Sequence, residues 1–408
     1  MSRNWRRLAV LALGFGLVAC HPQAAKSPSA GPPPPPALKL SADTEQAVAE
    51  LYVESQAPGM VVAVVQGDAA AVRGFGRVSP GDPRTPDGAT LVRLDSISKL
   101  FTAELLAKAV VAQRVALTDP LTRFAPPGWA TTARDPPSIT LIQLATHTSG
   151  LPRVYPLGIY ATPPSAGQAQ ADRWAWLGQR RDGHDPGKGA HYSNLGFDFL
   201  GDALAAAKGS SYPAALKAEV TDPLGMADTT PAPSPAACAR MMAGDPILNS
   251  AACLDTSYQA ASGGLYSTGN DMARWMKSQL AAGPPDPVRK ISQATYVRRD
   301  QLAYAGGIDV AGPANGIGLA WIELAPDPGH PRLIQKTGGG YGFMTYVVLD
   351  PERRIGVFLA MNRMSGGDLK RLAEGANDLV ATLGGFHPPP GSPATPPPPL
   401  QSGKPPSR

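Results

Sequence analysis

The 408-residue chain has no His-x-x-x-His and no Cys-x-x-Cys pair; its six histidines (His21, His147, His184, His191, His330, His387) and three cysteines (Cys20, Cys238, Cys253) are scattered. A zinc centre needs such ligands closely spaced, so neither a metal nor any other cofactor is expected. No run of Lys and Arg crosses the body, and the formal charge of +5 falls to +2 once Arg3, Arg6 and Arg7 are set aside, because residues 1–20 contain no acid. That balance gives phosphates nothing to track and argues against a nucleic-acid partner. The apolar stretch Leu8 to Val18 is too short to span a bilayer as a permanent helix. There is no internal repeat, so solenoid and propeller architectures have no support. Charged residues make up only 17% of the chain and hydrophobic ones 43%, a balance that permits a large core and excludes global disorder.

Proline and glycine are abundant, at 45 and 44 residues. Seventeen prolines fall in two short segments, seven in residues 21–37 and ten in residues 388–408, which read as extended spacers. A Pro-rich linker at 21–40 and a Pro-rich disordered tail at 388–408 therefore bracket a folded domain at 41–387. Residues 1–20 combine a cationic start, an apolar stretch and Leu17-Val18-Ala19-Cys20, the pattern of an export signal. Leu-Val-Ala-Cys resembles the bacterial lipobox, which implies that Cys20 is acylated and becomes the mature N-terminus; an ordinary signal peptide ending in cysteine is the alternative. His21 is not the aspartate that would argue for retention at the inner membrane, so the expectation is an outer-membrane anchor, a proline stalk and a periplasmic body. With Cys20 acylated, Cys238 and Cys253 remain as an even pair in an oxidising compartment, where a disulfide is favoured over two buried thiols. Such a bridge would contribute on the order of 3 kcal/mol.

Within the body, the polar start and spaced apolar residues of Ser41–Ser55 predict a surface helix. Met60–Val65 and Ala71–Val78 flank Gly67-Asp68 as a hairpin. Further strands are expected at Ile317–Leu324, Leu333–Thr337, Gly342–Leu349 and Ile355–Met361, followed by a helix whose apolar positions run from Leu369 to Leu383. The stretch between these ends is alanine-rich, with helices near Phe101–Ala112 and Leu195–Ala207. The fold class is therefore α+β: an antiparallel sheet from about 41–95 and 310–387, flanked by helices, with a mainly helical region inserted at about 96–309.

Three short motifs carry chemistry. Ser96-Ile97-Ser98-Lys99 opens a helix, where residues three apart share a face and Lys99 can reach the Ser96 hydroxyl. A serine at a helix start also sits in the positive end of the helix dipole. Of the twelve lysines only Lys99 has a serine three residues before it. Tyr192-Ser193-Asn194 is the sole Tyr-x-Asn, and Lys336-Thr337-Gly338 the sole Lys-Thr-Gly, on an expected strand. Asn194 would equally suit a helix cap before Leu195, a role compatible with a place in the site.

In this order the three motifs resemble the active site of the penicillin-recognising serine hydrolases, in the branch of class C β-lactamases and low-molecular-weight class C penicillin-binding proteins. Tyr-Ser-Asn in place of Ser-Asp-Asn separates the chain from class A. LATHTSGLP from Leu144, YSNLGFDFLGDALA from Tyr192, PLGMADTT from Pro223, GGLYSTGNDMARW from Gly263 and QKTGGGYGF from Gln335 look most like AmpH-type D-alanyl-D-alanine carboxypeptidase/endopeptidases. The pair Cys238 and Cys253 resembles that subgroup too. His147 belongs to one of these signatures and reads as structural, since no Gly-x-Ser-x-Gly elbow supplies it with a serine.

The resemblance implies a β-lactamase/transpeptidase-like fold, an acyl-enzyme on Ser96, and peptidoglycan peptides and β-lactams as partners. Serine needs a base within reach, and Lys99 and Tyr192 are both candidates. Crowding Lys99 against Lys336 should lower the lysine pKa, and two cations should stabilise a tyrosinate. By resemblance the backbone N–H groups of Ser96 and Gly339 would hold the oxyanion. Lys336, Thr337 and Gly338 would bind the substrate, the first two through its terminal carboxylate, and Asn194 would orient Lys99 and the substrate amide. A β-lactamase or small-ester hydrolase on the same scaffold is the alternative, and an inactive cell-wall peptide binder a third, disfavoured because a binder has no use for both Lys99 and Tyr192. The motifs carry no information on oligomeric state.

Overall fold

The computed structural model describes residues 34–129, 138–155, 164–179, 185–245, 253–284, 286–364 and 366–387. The expected export signal with Cys20, most of the linker and the C-terminal tail lie outside the described residues. Among those described, no helix is long and apolar enough to cross a membrane.

Helix α1 (Ala42–Ser55) starts where Ser41 accepts a hydrogen bond from the Thr44 N–H at 3.2 Å. The strands are β1 (Gly59–Gln66), β2 (Ala69–Gly76), β3 (Leu91–Arg93), β4 (Ala190–His191), β5 (Tyr266–Thr268), β6 (Thr295–Arg298), β7 (Ala305–Gly306), β8 (Gly316–Gly318), β9 (Ile322–Leu324), β10 (Leu333–Gly340), β11 (Phe343–Asp350) and β12 (Ile355–Met361). Eight of them form one antiparallel sheet in the order β2-β1-β12-β11-β10-β9-β8-β6. Pairing of β1 with β12, Met60 opposite Met361, joins the N-terminal hairpin to the C-terminal strands and closes the α+β fold.

Strand period two divides the core. Met60, Val62 and Val64 of β1, Tyr346 and Val348 of β11, and Val357 and Leu359 of β12 pack with α1 and the last helix, α6 (Gly366–Leu383). Gly375 lets those two helices approach, since a Cβ there would lie 2.6 Å from Leu51 Cδ2. The opposite face, with Ala63, Val347 and Phe358, belongs to a second core shared with α2 (Ser98–Val111), α4 (Asn194–Lys208) and α5 (Gly269–Gln279), in which α5 lies against β1, β2 and β12 and α4 packs on α2. Helix α3 (Ala166–Gln179) is anchored to α4 by Arg173, whose Nε donates to Asp202 Oδ2 at 2.7 Å. Eleven of the fourteen residues of α2 are buried, so it is a central core helix and not an amphipathic surface one.

Two expectations need correction. Ile317–Leu324 is not one strand: β8 and β9 form a tight hairpin, with Ala320 at φ +63° held by a hydrogen bond from its N–H to the Ala145 carbonyl (2.9 Å). The sheet also reaches back into the expected helical stretch, because β6 pairs with β8. β6 is a four-residue edge strand, too short and polar to carry a clear alternation.

Candidate active site

Strand β3 delivers the chain into a 3-10 turn, Asp95–Ile97, from which α2 departs. Asp95 takes the left-handed φ of +48°, and Ser96 follows at the bend. β10 runs directly against this turn. A Cβ at Gly338 would stand 2.4 Å from the Leu94 carbonyl oxygen and 3.2 Å from the Ser96 nitrogen, so a side chain there would displace Ser96. Thr345 Oγ1 of β11 pins the same turn by donating to the Leu94 carbonyl at 2.9 Å. Gly339 faces the other way, with no heavy atom within 4 Å of its would-be Cβ. β9 pairs only with Leu333–Gln335, so on that side Lys336–Gly340 form an open strand edge.

Lys99 lies one helical turn after Ser96 and is wholly buried. Its Nζ contacts three oxygens: Ser96 Oγ at 3.1 Å, Asn194 Oδ1 at 2.7 Å, and the carbonyl of Ser262. Asn194 is free to do this because it is the first residue of α4 and not its cap. Ser193 caps the helix, accepting from the Gly196 N–H at 2.8 Å, which corrects the capping role considered for Asn194. Tyr192 is nearly buried; its hydroxyl accepts from Lys336 Nζ at 3.4 Å and exchanges a hydrogen bond with Ser96. Lys336 Nζ donates also to the Thr337 carbonyl (3.1 Å).

The electrostatics follow from burial among cations. Burial drives the Lys99 pKa well below that of a free lysine, and the charges of Lys336 and Arg153 add to the effect. Lys336 is lowered to about 7, first by burial and then by Arg153. Tyr192 moves up, to about 12, because loss of solvent outweighs the help of Ser96 and Arg153. The expected tyrosinate is therefore not favoured: burial outweighs the pull of the nearby hydrogen bond and cation on the Tyr192 proton. Burial likewise lifts Asp95 to about 8 and Asp198 to about 6.

His147 is fully buried, stacks on the Tyr192 ring at 4.3 Å between centroids, and accepts the Ser193 N–H at Nδ1 (3.1 Å). Burial, then Lys99 and Lys336, push its pKa far down, so it is a neutral wall for Tyr192. The motif reading missed Ser262, whose part is played by a backbone carbonyl that no side-chain pattern reports. It also missed Asp198, four residues after Asn194 and therefore on the same helical face, and Arg153, one residue beyond the Leu144–Pro152 signature. Cys238 and Cys253 stand at disulfide distance, with Cα atoms 5.8 Å apart.

This arrangement suits acyl transfer, with a serine at a helix start, an amine of lowered pKa beside it and an open strand edge to align a peptide. Comparison with known proteins agrees. Residues 44–381 match the family model described as Beta-lactamase. The chain is 39% identical over 343 residues to the D-alanyl-D-alanine-carboxypeptidase/endopeptidase AmpH of Escherichia coli (strain K12), covering 83% of this chain and 88% of that protein. A beta-lactamase of the same organism is 27% identical over 345 residues, 78% of this chain and 87% of its own. Among solved structures, the beta-lactamase/D-alanine carboxypeptidase from Yersinia pestis complexed with citrate superposes with a TM-score of 0.77 at 39% identity, covering 83% of this chain and 98% of that one. The class C beta lactamase from Rhodobacter sphaeroides shares the fold, with a TM-score of 0.67 at 23% identity over 84% of this chain and 99% of its own. The chain belongs to the beta-lactamase family, as a homologue of its AmpH-type members.

Proposed function

We propose that the protein is a periplasmic serine DD-carboxypeptidase and DD-endopeptidase, cleaving D-alanyl-D-alanine peptides of peptidoglycan through an acyl-enzyme on Ser96. The observation that carries the reading is the setting of Lys99. An uncharged amine has two N–H donors and one lone pair; Asn194 Oδ1 and the Ser262 carbonyl take the donors, which turns the lone pair toward the Ser96 hydroxyl. Lys99 is then the base that accepts the Ser96 proton as Oγ attacks the scissile carbonyl. Tyr192, still protonated and in contact with both Ser96 and Lys336, gives its proton to the departing nitrogen and takes back the one held by Lys99, so that both groups return to their starting forms. The N–H groups of Ser96 and Gly339 receive the oxyanion, and the open edge of β10 pairs with the substrate backbone. Asn194 holds Lys99 and the substrate amide, while Lys336, Thr337 and Gly338 line the substrate end of that edge. Water then hydrolyses the ester.

The similarity to AmpH at 39% identity supports the peptidase reading over a resistance enzyme. The export-signal pattern and the Leu17–Cys20 lipobox support export and an outer-membrane lipid anchor, and the 5.8 Å separation supports a Cys238–Cys253 disulfide. The class C fold keeps β-lactam hydrolysis as the second reading. Incubating purified protein with a D-alanyl-D-alanine pentapeptide, and separately with a cephalosporin, tests the two. Released D-alanine together with a long-lived adduct on Ser96 is the expected result. Rapid cephalosporin turnover with no D-alanine would make the protein a β-lactamase instead.

A further inference from the structure

The chain before α4 is tied to the Tyr-x-Asn motif through its backbone. Ser193 Oγ donates to the Pro152 carbonyl at 2.7 Å, and the Arg153 carbonyl accepts the Asn194 and Leu195 N–H groups at 2.8 and 3.4 Å. Arg153 is thus anchored at its backbone, yet its residue is exposed, and its guanidinium carbon lies 4.8 Å from the centre of the Tyr192 ring. Gly307 makes room for this contact: at φ +74°, its would-be Cβ would stand 3.0 Å from Tyr192 Cβ and 3.5 Å from Arg153 Nη1. Among the described residues no carboxylate forms an ion pair with Arg153.

The two lysines of the site are poor partners for an anion by comparison. Both are buried, Lys336 already donates to Tyr192 and Thr337, and part of its lowered pKa is the work of Arg153 itself. A guanidinium keeps its charge throughout the working pH range and offers a planar fork of donors matched to a carboxylate. Arg153 is the cation of the site that combines permanent charge with open access. It lies beside Tyr192, the group from which the departing nitrogen takes its proton.

We infer that Arg153 binds the free carboxylate of the leaving residue, pairing its guanidinium with the carboxylate next to the scissile amide and so selecting substrates that carry one. A β-lactam offers the equivalent group as its ring carboxylate. The inference rests on the proposed acylation of Ser96 and deepens it. The carboxylate role that the family resemblance gives to Lys336 and Thr337 passes in part to Arg153.

The test compares acylation of wild type, Arg153→Ala, Arg153→Gln and Arg153→Lys by benzylpenicillin and by its methyl ester, followed by intact mass. Release of terminal residue from a D-alanyl-D-alanine peptide and from its C-terminal amide forms a second arm. Loss of a charge-assisted pair should slow acylation by benzylpenicillin about 10- to 100-fold in the Ala and Gln variants. The methyl ester should change less than about threefold on the same reasoning, with Lys intermediate and melting temperatures unchanged. Equal losses on acid and ester would mean that Arg153 acts only by supporting Tyr192, and no loss on either would mean that it does nothing; both overturn the inference. Because the penicillin arm needs only the Ser96 adduct, absence of D-alanine release would refute the peptidase reading while leaving this one decided.

Discussion

Strands β1, β11 and β12 send alternate residues to two faces that bury very different things. The face covered by α1 and α6 is mostly apolar; among the described residues its polar contacts include Tyr346 OH donating to Asn377 Oδ1 at 2.8 Å and, toward the β2 edge, Arg73 Nε donating to Glu45 Oε2 of α1 at 3.0 Å. The core on the opposite face, shared with α2, α4 and α5, buries Lys99, Glu104 and His147 beside its apolar residues, with Glu104 accepting from Trp275 Nε1 (2.9 Å) and Gln279 Nε2 (3.0 Å). Apolar burial stabilises at little risk, whereas each buried ionisable group costs desolvation that only partners offset. One face holds the sheet together; the other spends stability to shift pKa values. The two should therefore fail differently when altered.

The largest effect is expected on the polar face. Ser96→Ala should abolish covalent labelling by a fluorescent penicillin, and Lys99→Ala and Tyr192→Phe should slow acylation by about two to four orders of magnitude, the usual worth of a positioned acid or base. Label retained in Ser96→Ala, or mapped to Ser98, would break the assignment. On the apolar face the loss should be of stability alone. Leu372→Ala in α6, fully buried, should cost about 2–5 kcal/mol by denaturant titration, with the acylation rate of the folded fraction unchanged. A kinetic defect there would mean that the faces are coupled.

Smaller effects come from the periphery. Cys238 and Cys253 should resist alkylation until reduced, and the double serine variant should lose up to about 3 kcal/mol, the loop-closure worth of a bridge spanning 15 residues. Free thiols in oxidatively folded protein would remove the bridge. His330 bridges Asp327 and Asp378, with its ring nitrogens 3.0 and 2.7 Å from their carboxylates, and those hydrogen bonds, Asp378's first, raise its pKa. A raised histidine pKa contributes stability that is complete below its unfolded value and is lost as pH rises through the folded one. His330→Asn should therefore lower the unfolding free energy at pH 5.5 more than at pH 8.5, by less than about 1 kcal/mol at this partly exposed site, read by denaturant titration. The opposite pH trend would contradict the assignment.

The two faces also differ in how far they could be read from sequence. β12 was legible to the residue, because a seven-residue uncharged run rich in apolar residues, bounded by Arg354 and Asn362, has the length and composition of a buried strand. Helix α1 was legible from its Ser41 cap and the spacing of Val48 and Leu51. The hairpin of β8 and β9 was not: Ala320 has no preference for a left-handed turn, and what holds it there is a hydrogen bond to Ala145, distant in sequence. In the site, Ser96, Lys99, Tyr192, Asn194 and Lys336 could be picked out because their chemistry requires particular side chains at local spacings. The Ser262 carbonyl has no sequence signature, and Arg153 gains its meaning only when its neighbours at Asn194 and Gly307 are in place. The sign of the Tyr192 shift was misread because charges were counted before burial.

The account depends most on Lys99 being an uncharged base. Its folded pKa lies below its unfolded one, so the ammonium is the inactive form and acylation should rise with pH as the proton leaves, then level off well short of the ordinary lysine value. The direct measurement follows the Lys99 side-chain carbon resonance by NMR through a pH titration of Ser96→Ala, beside the pH dependence of benzylpenicillin acylation in the wild type. The account predicts that both midpoints lie well below that of free lysine and track one another. A Lys99 that stays protonated up to the ordinary lysine range while acylation proceeds at neutral pH would contradict it.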